Sequence, residues 1–431
     1  MKRTVCIAVL LCVLPACAAL AQQVVLSTYA GGPKSDVLSG AAVLPDGAVV
    51  IGGTIDASRG GNKGDKLEGG QGIVSILSKS GQLVTQQKFP GAINDLDADA
   101  QGNIYVTGST GSAKLDKSLK KPLWTSNVGG AEARIAPGPD GSAVVLSGKQ
   151  ITLLDAHGKT TGSFSVGGQY VNDVACDAKL RLIFVCGFDN KHGTPPGQRN
   201  YPVQVAFVRA YDLSGKQAWG AYGWGGQNVA DLQLMADTRA YRIALGGDGK
   251  LYVAGESAGG NTMWTRSALD LKQNANLAKG DAFQHAYNTS ANHITAVVRL
   301  DPKSGQSEAG TLLLARLASG RGNTIRPRAI AADAKGNVYV GGASAFSPPK
   351  SPGGFGREGG GAYFVVFDGN FKRLLATTLA GDGTTQAIAA GYGSIIAVGD
   401  CKKELATHKP LKAEGDDNGD GFAVLLSTGA K

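Results

Sequence analysis

The stretch DADAQGNIYVTGST at residues 97–110 returns far downstream, nearly unchanged, as AADAKGNVYVGGAS at residues 331–344. Each copy has small and apolar residues, then a turn with Gly-Asn, then β-branched and aromatic residues ending in Gly. This order is typical of a β-hairpin. Five more segments share it: AAVLPDGAVVIGGT (41–54), ARIAPGPDGSAVVLSG (133–148), DVACDAKLRLIFVCG (173–187), RIALGGDGKLYVAGES (242–257) and AIAAGYGSIIAVGD (387–400). The chain therefore carries seven copies of one hairpin, whose strands we name A and B.

A second hairpin, with strands C and D, follows most copies of the first. Clear copies are GIVSILSKSGQLVTQQKFPG (72–91), AFVRAYDLSGKQAWGAYGWGG (206–226), AVVRLDPKSGQSEAGTLLLARL (296–317) and YFVVFDGNFKRLLATTLAG (363–381), and more divergent copies lie at 113–130 and 150–168. Two hairpins in succession form a four-stranded antiparallel unit. Radial repetition of such units, typically about four to eight of them, is the architecture of β-propellers.

The C-terminus offers only part of a seventh outer hairpin. The chain ends with GFAVLLSTGAK, which supplies strand C alone. We expect the missing strand D at the other end of the chain, in QVVLSTYAGG (23–32), which has the D-strand pattern and its Gly-Gly exit. We therefore predict an all-β fold, a seven-bladed β-propeller of four-stranded antiparallel blades whose ring is closed by this N-terminal strand.

The repeats resemble a known bacterial repeat. LSTYAGG followed by LPDGAVVIGGT, and GNIYVTGST itself, are similar to the SBBP-type β-propeller repeat. The resemblance covers essentially the whole chain after the leader. It implies a propeller fold and an exported bacterial protein, and it implies almost nothing about activity. The divergent third and fourth units and the long inserted loops depart from the pattern.

Glycine recurs at the A–B turn and at the end of strand B. We expect both positions to need backbone angles that other residues resist. The segment GFGREG at 354–359 has the spacing of a dinucleotide-binding loop, but it neither follows a strand nor opens a helix. We therefore interpret the glycines as structural and expect no nucleotide cofactor.

The N-terminus predicts export. Residues 1–21 have a basic start, the apolar stretch TVCIAVLLCVL and a small-residue cleavage site, as in a secretory signal peptide, which leaves 22–431 as a single domain. An alternative is a lipoprotein box, LPAC at 14–17, with Cys17 as the lipid-anchored residue. We expect a secreted or periplasmic protein or, in the alternative, an outer-surface lipoprotein. No later run approaches the roughly 18 apolar residues of a transmembrane helix.

Cysteine and charge exclude several classes of site and partner. Cys176, Cys186 and Cys401 follow the leader, and the hairpin register places Cys186 opposite a residue near Asp173 rather than opposite Cys176. We therefore expect no disulfide between them, and no Cys/His cluster indicates zinc. The net charge of +9 is scattered along the chain. For an exported protein we expect no nucleic-acid partner, and we expect a monomer.

Alternating strand direction places the A–B and C–D turns at one end of the propeller, the turn face, and the B–C and D–A connections at the other, the looped face. Long loops on a rigid scaffold often carry function. Five B–C loops are long, at 55–71, 188–204, 257–293, 343–362 and 400–421. The candidates for ligand contact in these loops are His192, Trp264, His285 and Tyr287. In the 257–293 insertion we also expect a short helix near Ser267–Gln273.

Charged residues recur where strand A enters the channel. Aligned repeats put one at the same position of blades 2 to 5, with a further Arg one residue earlier in blade 6: Asp95, Arg134, Asp173, Arg242 and Arg328. One interpretation is a lattice of ion pairs that closes the channel mouth. The other is a polar pocket in which Arg134 and Arg242 bind an anionic group.

The segment DDNGDG at 416–421 resembles the start of a calcium loop. Asp416, Asn418 and Asp420 occupy ligand positions one, three and five, and a glycine follows at position six. Position twelve is Ser427, within a predicted strand, so a complete EF-hand is excluded. A partial calcium site and an acidic turn before strand C both remain open.

Three classes of function fit the sequence. No HExxH, GxSxG or paired-carboxylate motif accompanies the histidines. We expect a scaffold that binds a protein or a carbohydrate through the looped face. The alternative is an enzyme, a lyase or hydrolase, with its active site at the channel mouth on that face, and a further alternative is a surface structural protein. Converging His, Arg and carboxylate side chains would favour the enzyme, whereas a flat apolar or aromatic patch would favour binding.

Overall fold

Seven antiparallel sheets make up the protein. The computed structural model describes residues 23–60, 66–280, 292–348, 351, 355–402 and 404–428. The predicted signal segment 1–21, with Cys17, lies outside these residues, as do His285 and Tyr287. Each sheet contains the four strands A to D of one repeat, and the seven sheets are the blades of a β-propeller.

The strands of the first four blades follow the predicted order. The N-terminal strand β1 (Gln23–Ala30) belongs to the last blade. Blade 1 contains β2 (Ser35–Val43), β3 (Val49–Gly60), a short β4 (Lys66–Glu68) paired to β3, β5 (Gln71–Leu77) and β6 (Leu83–Pro90). Blade 2 contains β7 (Ile93–Ala98), β8 (Ile104–Gly108), β9 (Gly111–Leu115) and β10 (Pro122–Ser126). Blade 3 contains β11 (Arg134–Pro137), β12 (Ala143–Ser147), β13 (Gln150–Leu154) and β14 (Thr160–Ser165), with a 3-10 turn at Pro139–Gly141. Blade 4 contains β15 (Tyr170–Asp177), β16 (Leu182–Gly193), β17 (Tyr201–Asp212) and β18 (Gln217–Tyr222), and the helix α1 (Gly226–Asp231) follows it.

The last three blades carry the larger additions. Blade 5 contains β19 (Thr238–Leu245), β20 (Leu251–Ser257), a 3-10 turn at Met263–Thr265, a short β21 (Leu277–Ala278), β22 (Ile294–Leu300) and β23 (Ser307–Leu313). A two-stranded ribbon follows, β24 (Ala315–Arg316) and β25 (Gly322–Asn323). Blade 6 contains β26 (Ile325–Ala332), β27 (Val338–Ser344), β28 (Gly361–Phe367) and β29 (Arg373–Ala380). Blade 7 contains β30 (Thr384–Gly391), β31 (Ser394–Cys401), β32 (Asp420–Ser427) and, as its outer strand, β1.

Ring closure uses the strand predicted from the N-terminus. β1 pairs antiparallel with β32, from Gln23 opposite Ser427 to Ala30 opposite Gly421. Leu26 of β1 is buried in one apolar cluster with residues of blade 1 and of the inner strands of blade 7. The predicted fold and its closure are therefore confirmed, and the seventh blade joins both ends of the described chain.

A β-bulge recurs at one place between strands A and B. The strand-A residues left unpaired by it are Ser39, Asn94, Asn172, Tyr241, Arg328 and Gln386. Opposite each bulge, strand B carries a glycine: Gly53, Gly108, Gly187, Gly255, Gly342 and Gly399. Blade 3 pairs in register from Arg134 to Pro137, without a bulge, and has Ser147 at the end of its strand B.

At the strand-B glycines a side chain is excluded because there is no space for a Cβ atom, and not because of the backbone angle. None of these six has a positive φ. A Cβ at Gly108 would lie 1.8 Å from the carbonyl oxygen of Ala92, and one at Gly399 would lie 1.9 Å from that of Thr384. The expectation of an unusual backbone angle at this position is therefore wrong, because the bulge places a strand-A carbonyl where the Cβ would be. The expectation is confirmed at the A–B turns, for example at Gly47 with φ 83°.

Much of the loop predicted at 188–204 is strand. β16 and β17 pair without interruption from Leu182 opposite Asp212 to Gly193 opposite Tyr201. Only the tip of this hairpin, residues 194–200, lies outside the two strands. The hairpin therefore extends blade 4 on the looped face.

The 257–293 insertion folds back along the outer edge of blade 5. β21 pairs in parallel with β23, the outer strand of that blade. The helix expected over Ser267–Gln273 is wrong, because the segment forms turns. Asp270 accepts a hydrogen bond from the backbone N–H of Lys272 at 2.9 Å, and Ser267 N–H donates to the Gln273 carbonyl at 2.9 Å. The Asp270 side chain caps a tight turn, and the backbone does not form helical hydrogen bonds in this segment.

The cysteine expectations hold. Cys176, Cys186 and Cys401 are free, and Cys186 lies opposite Asp173 in the register. Across the described ranges, the chain has no helix long and apolar enough to cross a membrane.

Candidate functional site on the looped face

The charged residues predicted at the channel mouth line one cavity. It has a volume of about 350 Å³ and is bounded by strand A of all seven blades. Its lining includes Asp95, Arg134, Asp173 and Arg242. Arg328 occupies the bulge position of blade 6, which explains its offset of one residue, and its guanidinium lies over the Tyr241 ring, 4.5 Å from the centroid.

These charges connect neighbouring blades. Asp95 Oδ2 accepts a hydrogen bond from Ile135 N–H of the next blade at 3.0 Å. Asp173 Oδ2 accepts one from Ile243 N–H in the same way, also at 3.0 Å. Arg242 Nε donates to the carbonyl of Arg328 at 2.7 Å, again across a blade boundary. These three contacts are hydrogen bonds to the backbone of a neighbouring blade, and Arg134 Nη1 also lies 3.7 Å from Asp95 Oδ1 as an ion pair. Together they favour the lattice interpretation, while anion binding by the arginines stays a hypothesis.

The channel environment shifts several pKa values. Burial raises the pKa of Asp95 to about 6, against the opposing charge of Arg134. Asp97 is exposed to the channel, where desolvation by the surrounding blades raises its pKa to about 7 and the nearby carboxylates of Asp95 and Asp173 add to the effect. Burial lowers the pKa of Arg242 to about 10, and the charge of Arg134 adds to that shift. The channel therefore holds carboxyl groups that titrate near neutral pH.

Two of the insertion-loop candidates, Trp264 and His192, lie in the described residues, and no hydrogen bond or ring contact joins them there. Trp264 is fully buried, packs edge-on against Tyr222 at a centroid distance of 4.8 Å, and donates its indole N–H to the Glu256 carbonyl at 3.1 Å. Its position makes it a packing residue, which corrects its assignment as a ligand contact. His192 is exposed on the β16–β17 hairpin, where its Nδ1 bonds to Asn200 Oδ1 at 3.1 Å. His285 and Tyr287 lie outside the described residues.

A cluster that sequence reasoning missed lies where blades 5 and 6 meet the looped face. Glu256, at the end of β20, has only 1% of its side chain exposed. Its Oε1 accepts hydrogen bonds from Arg239 Nη1 at 2.6 Å and from His293 Nδ1. Its Oε2 has no hydrogen-bond partner among the described residues and lies 3.6 Å from Arg326 Nε. Two arginines and a histidine thus converge on one buried carboxylate.

The repeat alignment contained a signal for this cluster. Arg239 and Arg326 occupy the same strand-A position in blades 5 and 6, two residues before the bulge, where other blades have Val, Ala, Tyr or Thr. Glu256 follows the strand-B glycine directly. The charged residues predicted from the sequence lie at the bulge position or directly after it, whereas Arg239 and Arg326 lie two residues before it.

The predicted calcium loop meets a carboxylate from another part of the chain. Asp36 of β2 joins Asp416 and Asp420, and a ligand oxygen from each lies within 4.8 Å of the others. Asn418 is exposed and donates its Nδ2 hydrogen to the Pro33 carbonyl at 3.0 Å, and its role as a ligand stays a prediction. Asp36 therefore adds a carboxylate to the predicted set. Its distance along the chain hid it from a local motif.

The acidic cluster is partly neutralised from within. Lys412 Nζ lies 2.6 Å from Asp420 Oδ1 and 4.0 Å from Asp416 Oδ2. The latter oxygen and Asp56 Oδ1 are buried and have no hydrogen-bond partner in the described chain. Burial raises the pKa of Asp36 to about 7, although the Asp56 N–H bonded to it acts in the opposite sense. Residues Asp36, Asp416 and Asp420 could hold a cation, and calcium binding stays a prediction.

An uncharged groove lies beside the tip of the β16–β17 hairpin. It has a volume of about 550 Å³ and is lined by seven residues: Pro195, Gln198, Tyr201, Pro202, Gln233, Met235 and Asn261. The side-chain amides of Gln198 and Gln233 are exposed and make no hydrogen bond to any described residue. The Arg199 guanidinium lies 5.0 Å from the centroid of the Tyr201 ring. The groove thus combines an aromatic ring, apolar surface and unengaged amides.

Comparison with known proteins assigns no function. No family model matches this chain, and no curated protein matches it. The candidate sites therefore stand on their geometry alone.

Proposed function

We propose that this protein is an exported β-propeller, built from SBBP-type repeats and secreted or periplasmic, that binds a carbohydrate through the looped face. The observation that carries the proposal is the uncharged groove beside the β16–β17 hairpin. Carbohydrate hydroxyls both donate and accept hydrogen bonds, and amide side chains offer both capacities in one group. The leader sequence supports export, since a secretory signal has that composition.

The lining of the groove favours a saccharide over a protein partner. Tyr201 and Met235 are half-buried and give the groove an apolar wall, while Gln198, Gln233 and Asn261 are exposed along it. Small-ligand sites are typically clefts of roughly 300–1,000 Å³ with apolar walls and a few polar groups that fix orientation. A stable protein interface usually needs about 800 Å² from each partner. Seven residues around one cleft fit the first description.

A panel of neutral oligosaccharides, screened on an array and followed by titration calorimetry, tests this proposal. We expect the Tyr201→Ala and Gln233→Ala variants to weaken binding at least about tenfold, equivalent to about 1.4 kcal/mol. The Lys79→Glu, Lys303→Glu double variant is the control, because both lysines are exposed on the turn face. Unchanged binding in the groove variants, together with loss of binding in the turn-face variant, would show that the saccharide binds on the turn face.

One observation favours a second function class, an enzyme on the same face. Glu256 bonds to His293 Nδ1, and an orienting carboxylate of this kind leaves the other ring nitrogen available for proton transfer. Prolonged incubation with the bound saccharide, followed by chromatography of the products, tests this alternative. Cleavage that disappears in the His293→Ala variant would establish it, and an intact saccharide would leave binding as the function.

A further inference from the structure

We propose that Arg326 binds a carboxylate or sulfate group of an acidic saccharide, that His293 beside it accepts a hydrogen bond from a neighbouring saccharide hydroxyl, and that Glu256 and Arg239 position them. This inference rests on the proposed carbohydrate binding and names the class of saccharide.

The hydrogen-bonding capacity of Arg239 is used within the protein. Its Nη1 bonds to Glu256, its Nη2 lies 3.3 Å from Asp237 Oδ2, and its Nε donates to Gln204 Oε1. The side chain is 18% exposed. Arg239 is therefore held by three partners and supports the cluster instead of offering donors to a ligand.

Arg326 is in a different state. Its side chain is 43% exposed, and its Nε, 3.6 Å from Glu256 Oε2, makes its one ion pair among the described residues. Its two Nη groups have no hydrogen-bond or ion-pair partner among the described residues. A guanidinium with both Nη groups unengaged can bind a planar carboxylate through two parallel hydrogen bonds.

His293 offers a second group beside it. Its Nδ1 is bonded to Glu256 Oε1, and the side chain is 21% exposed. Because Nδ1–H donates to the carboxylate, the opposite nitrogen Nε2 of the neutral ring is an acceptor and is available to a saccharide hydroxyl. Glu256 thus contacts both Arg326 and His293, and it fixes their relative position before a ligand arrives. Such pre-organisation lowers the cost of binding.

The two arginines of the cluster share two carboxylates, Glu256 and Asp237, but they share them unevenly. Arg239 is balanced by Asp237 as well as by Glu256, so the Glu256 carboxylate is shared among Arg239, Arg326 and His293. The Arg326 guanidinium lies 3.6 Å from the Glu256 carboxylate, and a bound oxyanion would give it a second ion-pair partner. A neutral saccharide hydroxyl would gain less there, since charge-assisted hydrogen bonds are roughly twice as strong as neutral ones.

The cluster and the groove are connected through two residues, Asp237 and Gln204, each of which lies two positions from a lining residue and contacts Arg239. Asp237 lies two residues after Met235, which lines the groove, and its Oδ1 accepts from Gln204 N–H at 2.9 Å. Gln204 lies two residues after Pro202, another lining residue, and its Oε1 accepts from Arg239 Nε. One oligosaccharide could therefore fill the groove and present an acidic group to Arg326.

Titration calorimetry with matched oligosaccharides tests the inference. Neutral, uronate and sulfated forms of one oligosaccharide would be compared at constant ionic strength, because exposed charges are sensitive to salt. We expect an acidic form to bind at least about tenfold more tightly than the neutral form, and Arg326→Ala to abolish that difference. The uronate and sulfate arms identify which oxyanion is preferred.

Arg181→Ala is the matched control. Arg181 is an exposed arginine, 58% accessible, with a single carboxylate partner, Asp140, at 3.3 Å, and it lies at an A–B turn on the opposite face. This variant should keep the preference for the acidic form. Equal binding of neutral and acidic forms to the parent protein would overturn the inference and leave the groove proposal standing.

A separate measurement covers the case in which no oligosaccharide binds. Free glucuronate and inorganic sulfate would be titrated while the ring signals of His293 are followed by NMR. A saturable shift that is lost in Arg326→Ala supports the oxyanion site even if the groove proposal fails. No shift with either anion overturns the inference.

The positioning role of Glu256 has its own readout. In Glu256→Gln the ring nitrogen shifts of His293 should report a mixture of tautomers, whereas the parent protein should report one with the proton on Nδ1. If the variant does not fold, Glu256→Asp, which keeps the charge but shortens the reach, serves in its place. A single unchanged tautomer in the folded variant would remove Glu256 from this role.

Discussion

Blade 7 and blade 3 are built from the same repeat, but they differ in strand length, in the A–B bulge, in the length of the B–C connection and in the origin of the outer strand. Blade 7 has long strands, the A–B bulge with Gly399 opposite it, a long B–C connection and an outer strand from the other end of the chain. Blade 3 has strands of four to six residues, no bulge between strands A and B and a two-residue B–C connection at 148–149.

Comparing the two blades shows which features the propeller fold requires and which are particular to one blade. Blade 3 has Ser147 in place of the strand-B glycine and still occupies its place in the ring. The glycine is therefore required by the bulge and not by the propeller. Blade 7 instead depends on non-covalent pairing between the two ends of the described chain, and it has gathered the acidic cluster of Asp36, Asp416 and Asp420 beside that join.

The largest effect should come from removing the outer strand of blade 7. Deletion of residues 23–32 exposes the edge of β32 and removes Leu26 and Tyr29, which are 2% and 6% exposed. Loss of these two buried side chains alone should cost on the order of 5 kcal/mol, and an open strand edge promotes aggregation. Differential scanning calorimetry and light scattering measure both. The control lacks only residues 1–22, and thermal unfolding as in that control would contradict the closure.

Gly399 and Gly391 of blade 7 allow a matched test of the bulge. A Cβ at Gly399 would lie 1.9 Å from the Thr384 carbonyl oxygen, whereas one at Gly391 would meet no atom within 4 Å. We expect Gly399→Ala to lower the free energy of unfolding by about 3 kcal/mol, because overpacking forces the backbone to move. Gly391→Ala should change it by less than about 1 kcal/mol. Gly162→Ala in blade 3, where the nearest atom is 3.9 Å away, should behave like Gly391→Ala, and equal losses in all three variants would exclude the steric explanation.

Calcium would distinguish the acidic cluster of blade 7 from an ordinary turn. We expect the Tm to rise with added calcium, because a ligand at about 100 times its Kd stabilises the folded state by about 2.7 kcal/mol. The Asp416→Ala, Asp420→Ala double variant should lose the rise, and Asp417→Ala, altered in a neighbouring exposed carboxylate, should keep it. If the Tm of the parent protein is the same in calcium and in chelator, the acidic cluster does not bind calcium and Lys412 alone neutralises it.

The smallest expected effect is on pH dependence. The pKa of Asp36 is raised to about 7, so the folded protein binds a proton that the unfolded chain releases near pH 4. Its contribution is fully present below about pH 4 and is lost as the pH rises to 7. Asp36→Asn should flatten the slope of Tm against pH in this window, measured in chelator. The absolute Tm is not the readout, since the variant also loses an acceptor for Gly32 N–H.

Asp155 of blade 3 is the control for that measurement. Hydrogen bonds from the backbone N–H groups of Lys159 and His157 lower its pKa. Its contribution is therefore present above about pH 4 and lost at more acidic pH. Asp155→Asn should leave the slope between pH 4 and 7 unchanged. A similar change of slope in both variants would show that the shift at Asp36 does not depend on its place beside the ring closure.

The fold could be predicted from the sequence because its signals are local and repeated. The hairpin turn and the β-branched and aromatic run of strand B lie within short segments, and each occurs several times. The strand D that the C-terminal unit lacks has its pattern in one short segment, residues 23–32. The role of the strand-B glycine could not be inferred in this way, because the atom that excludes a side chain at Gly342 is the carbonyl oxygen of Arg326 on another strand. The role of Trp264 was hidden for the same reason, since an aromatic residue in an insertion can either face a ligand or fill a core.

The sequence by itself determined the number of blades, the strand order and the way the ring closes, because repeated short-range patterns specify hairpins and hairpins specify antiparallel sheets. Only the tertiary structure decided which polar side chains meet. Glu256 lies in β20, Arg326 lies in β26 and His293 directly precedes β22, while Asp36 reaches Asp416 and Asp420 from the opposite end of the sequence. Their proximity follows from ring closure and from the packing of neighbouring blades. The repeat alignment shows that Arg239 and Arg326 share a strand-A position, but it does not show that both arginines meet Glu256, because contacts between blades join residues with no fixed spacing along the chain.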